Sequence, residues 1–170
     1  MSYRTILPHL IAAALLLLGP PPAFAEEPAL PPGAETAGNA LPSDIMLRVA
    51  PLMQAGRRDE ATFWFYAGQL RWRSRLNASP TQHATGESAL FSSLFETLRP
   101  PVNGWAFGDI LKLQRTIDAV LLWDVRYPDP PLDSAVHERM RAGLTALRDQ
   151  IGREAGMIRA ERASQGLENK

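Results

Sequence analysis

Histidine is the side chain that titrates near neutral pH without assistance. This chain has three: His9, His83 and His137. His9 lies in an N-terminal leader, His83 in a polar stretch (NASPTQHAT, residues 77–85), and His137 near the start of a long helical pattern. A helical zinc site needs a second ligand four residues on, as in H-E-x-x-H. His137-Glu138 is followed by Arg139-Met140-Arg141, so that ligand is missing. His83 and His137 therefore read as solvated surface residues, and no metal or cofactor is expected.

Carboxylates are the next source of acid–base chemistry. Glu60, Glu87, Glu96, Asp109, Asp118, Asp124 and Asp129 could cleave a glycan if two of them stood about 5–9 Å apart across a cleft. Asp59 and Asp109 read more simply as helix caps, and Asp118 as the i+3 partner of Arg115. Asp124 directly follows Trp123 at a helix end, where a negative charge meets the negative pole of the helix dipole. It should be paired, with Arg126 or Arg99 as the expected partner. If the chain is a hydrolase, Glu60, Asp124 and His137 are its acid–base candidates. There is no G-x-S-x-G nucleophile elbow, and residues 129–133 (DPPLD) lack the alternating oxygens and glycine of a calcium loop.

The densest unusual feature is Phe63-Trp64-Phe65-Tyr66, followed by Trp72 with Arg71, Arg73 and Arg75 around it. Most of these rings should be core, since burying each contributes about 1.5–3 kcal/mol. Tyr, Trp and Arg are also the residues enriched at binding hot spots. Tyr66, Arg71, Trp72 and Arg75 are therefore the candidate surface binding residues, with Arg71 and Arg75 on one helix face and Arg73 pointing elsewhere. The competing reading is a core helix with a solvated basic last turn, which the dipole favours.

These residues must be positioned by helices. Ser43-Asp44 precedes a short helix that Pro51 should end or kink. Ala61, Trp64, Phe65, Gly68, Trp72 and Leu76 recur at helical spacing, and Phe63, Ala67 and Leu70 make a second stripe. That predicts a helix over 59–76, packed on two sides and central to the core. Gly68 in its middle suggests a close helix crossing. A third helix is expected over 86–98, ended by Pro100-Pro101, with 102–108 as a connection. A fourth begins at the Asp109 cap and runs to about residue 123. Val136, Met140, Leu144, Leu147, Ile151, Ala155 and Ile158 then mark a long C-terminal helix of nearly straight periodicity. No segment alternates as a strand would. The expected class is all-α, an irregular bundle of about five helices.

Residues 52–66 (LMQAGRRDEATFWFY) resemble one hairpin of a tetratricopeptide or Sel1-type repeat, in the pattern AG-x-x-DEA-x-x-x-Y. The likeness implies helix-on-helix packing over one hairpin. No second copy follows at the 34-residue period, so a solenoid is not expected.

The first 25 residues complete the reading. Arg4, the apolar run at 10–18 (LIAAALLLL), the breaker GPPP and the A-F-A ending at Ala25 form a secretory signal, with cleavage expected between Ala25 and Glu26. Residues 26–41, rich in Pro, Ala, Gly and Glu, are expected to be a flexible tether, and 42–170 a single helical domain. No later run has the length or apolarity of a membrane span. There is no cysteine, which excludes disulfides and thiol catalysis. Removing Arg4 leaves the mature chain near −1, from 18 basic and 18 acidic residues, so nothing favours nucleic acid. The expected role is a periplasmic or secreted protein-interaction or adaptor domain with a protein partner, an immunity-type protein being one form. A cell-wall hydrolase and a small-ligand sensor, its ligand between the aromatic helix and the last helix, are the alternatives. For the sensor, Trp64, Trp72 and Trp123 are the expected lining.

Overall fold

The computed structural model describes residues 27–79 and 86–170. The proposed signal peptide and His83 lie outside the described residues. Within them the chain is helical, without strands. The helices are α1 (Ala34–Ala37), α2 (Pro42–Leu47), α3 (Val49–Gln54), α4 (Arg58–Ala78), α5 (Gly86–Ala106), α6 (Ile110–Arg126), α7 (Ser134–Arg153) and α8 (Ala155–Ser164).

The bundle is built around α4, which packs against α2, α3, α5, α6 and α7. Every residue from Ala61 to Gly68 is buried, so the two stripes read from the sequence do face two sets of neighbours. Trp64 sits in a nest of rings, with Phe63 at 4.9 Å and Trp123 at 6.2 Å between centroids, both edge-on. Such edge contacts add to the gain from burial. Gly68 marks the crossing of α2, because a Cβ there would stand 2.6 Å from Met46 Cγ. The α3–α4 hairpin turns at Gly56, whose φ of 76° favours glycine.

Three boundaries differ from expectation. Pro100-Pro101 does not end α5; the helix runs on to Ala106. The carbonyls these prolines leave without donors belong to Glu96 and Thr97, both exposed and open to water. Leu98, Val102 and Ala106, one turn apart, are buried across the prolines and hold the helix together. Pro51 is tolerated in the first turn of α3, where its missing N–H has no intrahelical partner to lose. The long C-terminal stripe is interrupted at Glu154, which separates α7 from α8. Asp109 caps α6 as expected, its carboxylate accepting from Lys112 N, and Asp133 caps α7 by accepting from Val136 N.

The segment read as a tether is also corrected over its last part. Ala34 and Ala37 are buried in the core, and Trp123 Nε1 donates to Ala34 O at 2.7 Å. Small residues at 34, 37 and 38 let the backbone lie close enough to cap a buried indole.

Candidate functional site

Two places on α4 stand out, a buried polar cluster and an open groove. The buried cluster joins the end of α4 to the end of α6 and the start of α7. Asp124, the last buried residue of α6, is fully buried, and Arg71 of α4 is 1% exposed. Arg71 Nε lies 2.9 Å from Asp124 Oδ1, an ion-pair distance off the hydrogen-bond line. Its other nitrogens donate to the carbonyls of Gly38 and Tyr127, and its guanidinium lies 4.3 Å from the Trp123 ring centroid. Arg141 Nη1 donates to Asp124 Oδ2 at 2.8 Å, and His137 Nδ1 stands 3.2 Å from the same oxygen. His137 Nε2 faces the Asp129 carbonyl at 3.3 Å. Arg75 grips Asp129 with both fork arms, at 2.7 and 2.9 Å. Burial pulls the Arg71 guanidinium below its ordinary range against the pull of Asp124 and Asp129, while the Asp129 hydrogen bond raises that of Arg75.

This geometry is that of a structural tie. Asp124 and His137, two of the acid–base candidates, do meet, but both ring nitrogens of His137 face oxygens of the cluster and neither residue reaches solvent. Glu60 takes no part in it, bonding instead to Arg57 and Trp64. The expected partners of Asp124, Arg126 and Arg99, are engaged with Glu27 and Glu96. Asp118 pairs with Arg148 of α7 at 2.5 Å rather than with Arg115. Among the described residues no group of three His, Cys, Asp or Glu is placed to hold a metal ion.

The expected surface patch is corrected in the same way. Tyr66, Arg71 and Trp72 are buried, at 5%, 1% and 2% exposure, and Arg75 is half-buried on Asp129. Trp72 packs on Phe91 at 5.2 Å. Arg71 and Arg75 share a helix face, as the spacing predicts, but that face meets carboxylates from α6 and the loop after it. The exposed arginine is Arg73.

Arg73 borders the second place, an open groove of about 410 Å³ between α4 and α7. Its floor is Tyr66, Gln69, Leu70 and Arg73, and its wall is Met140, Gly143, Leu144 and Leu147. Each set spans eight residues, seven steps that cover about 10 Å along a helix axis. The lining is mostly apolar, with one charge. Arg73 also lies 5.9 Å from the centroids of Phe91 and Phe95 on α5. Burial pushes the Tyr66 phenol up to about 12, so at neutral pH it presents a neutral hydroxyl. A second hollow, beside Asp59, Trp105, Lys112 and Lys170, holds only about 10 Å³, room for one water.

The groove residues of α7 belong to the stripe that the sequence assigns to the core. Leu147 is 40% exposed, and Met140 and Leu144 are half-buried. The available signal was Gly143 beside that stripe, where a side chain is missing and a Cβ would meet nothing within 4 Å. Comparison with protein-family models, curated proteins and solved structures finds no match to this chain.

Proposed function

We propose that the chain is an exported domain that binds a small, largely apolar ligand in the α4–α7 groove, as a ligand-binding or sensor module. The leader at residues 1–25 supports export. The groove carries the binding reading. Its volume of about 410 Å³ falls in the range of about 300–1,000 Å³ usual for small-molecule sites, and its lining is apolar with a few polar groups. It lies between the aromatic helix and the long C-terminal helix, with Tyr66, Leu70, Met140 and Leu144 in place of the tryptophans expected to line it.

The test is titration of the mature protein with 1-N-phenylnaphthylamine, a neutral dye that brightens in apolar sites. Saturable binding is expected, and Gly143→Leu, which fills the groove from an unstrained helical position, should abolish it. No saturable binding by the wild type, or equal binding by the filled variant, would end the reading.

A protein partner is the second reading, supported by the exposed Leu147 at the groove's edge. An amphipathic helix of the partner, as in an adaptor or immunity-type complex, would set two side chains into the groove. Eight lining residues are few beside the roughly 20–30 per side of a standard protein interface, which places this reading second. A photocrosslinking residue at position 147, in cells, should capture such a partner.

A further inference from the structure

We infer that the ligand is an amphipathic carboxylate, a straight apolar chain of medium length whose acid group is held by Arg73. The inference rests on the groove being a binding site and adds its charge and shape. Of the eight lining residues Arg73 is the single charged one, and no acid stands among them. Three arginines lie at alternate positions near the end of α4. Arg71 and Arg75 are each held by a carboxylate, Asp124 and Asp129. Arg73 points away from both. Its guanidinium lies beside the faces of Phe91 and Phe95. Its planar fork is suited to grip a carboxylate with two parallel hydrogen bonds.

The rest of the groove sets the other end of the ligand. Leu70, Met140, Leu144 and Leu147 offer apolar wall, and Gly143 leaves the space that a side chain would fill. A length of about 10 Å along the helices suits an alkyl chain of about eight to ten carbons and is short for a long-chain lipid. Gln69, one turn before Arg73, supplies an amide that can donate to the same acid group. The neutral Tyr66 hydroxyl adds no charge to repel it. An inorganic anion would leave the apolar wall unused, and a neutral alcohol would leave Arg73 unused.

Decanoate and 1-decanol share a chain length and differ in charge, so they separate the two contributions. Each is titrated against bound 1-N-phenylnaphthylamine on the mature protein. Decanoate should displace the dye at concentrations at least tenfold below those of 1-decanol. Arg73→Gln should remove that preference by weakening decanoate while leaving 1-decanol unchanged, and Arg73→Lys should keep part of it. Equal displacement by the two compounds, or a decanoate preference that survives Arg73→Gln, would overturn the carboxylate assignment and leave the groove as an apolar site. Failure of the wild type to bind the dye at all would overturn the binding reading, and this inference with it.

Discussion

Arg71, Trp72 and Tyr66 show how much one side chain's surroundings decide. All three read as candidates for recognition, and all three are buried. Trp72 therefore belongs with Trp64 in stability. Each substitution to Ala should cost about 3–5 kcal/mol, by the usual range for a buried aromatic. A denaturant titration that found Trp72→Ala nearly harmless would place that ring at the surface after all. Asp124 is a sharper case, because it answers Arg71, Arg141 and His137 together. Removing one partner of a buried ion pair leaves charge uncompensated, so Asp124→Ala should also cost about 3–5 kcal/mol. Loss of under about 1 kcal/mol in equilibrium unfolding would show the cluster to be well hydrated. Tyr66 carries a pH dependence. Its phenol is raised from 10.0 to about 12 by burial, so the unfolded chain ionises first as pH rises. Its contribution is intact below about pH 10 and is lost progressively towards the folded value, by up to about 2–3 kcal/mol. Stability measured at about pH 9 and about pH 11.5 should fall less for Tyr66→Phe than for the wild type. Equal losses would mean the ring is reached by solvent.

Two glycines in long helices make opposite tests of how the elements pack. Gly68 lies where α2 crosses α4, and an added Cβ would meet Met46 Cγ at 2.6 Å and Sδ at 2.7 Å. Met46 is fully buried and has nowhere to retreat, so Gly68→Ala should destabilise by about 1–3 kcal/mol through overpacking. Gly143 has open space over it, so Gly143→Ala should stabilise by about 0.5–1 kcal/mol through helix propensity alone. Thermal unfolding that moved both in one direction would contradict the placement of α2 or of the groove. The crossing at Gly68 was legible from sequence, because a glycine inside a strongly apolar helix needs a reason. The central place of α4 was legible from its two stripes, and the Asp109 cap from its position before Ile110. The passage of α5 through Pro100-Pro101 was not, since local propensity gives no weight to the burial of Leu98, Val102 and Ala106 on either side of it. The ion cluster was half legible. Asp124 after Trp123 called for a partner, but Arg71 and Arg141 are brought to it only by the packing of α4 and α7 on α6. The groove was hidden because Met140, Leu144 and Leu147 keep the periodicity of a core stripe while α7 leaves part of that stripe uncovered.

For the whole molecule, the question is what the body of helices needs in order to close. The composition of residues 26–41 suggests a dispensable leash, yet its last part completes the interior. Ala34 O accepts from the buried Trp123 indole at 2.7 Å, and Gly38 O accepts from Arg71. Gly38 also lies against Tyr127, where a Cβ would meet the Tyr127 Cβ at 2.7 Å. One short stretch of backbone thus covers both the aromatic nest and one side of the ion cluster. Removing it would leave the Trp123 N–H and one Arg71 arm without those acceptors and would open apolar surface around Trp123. An unsatisfied buried donor costs about 1–3 kcal/mol, and the lost cover adds to it. A chain beginning at residue 42 should therefore be at least about 2 kcal/mol less stable than one beginning at residue 26. Its tryptophan emission should also shift to the red, as Trp123 meets water. Equal stability and unchanged emission in the two chains would show that residues 26–41 are a leash after all.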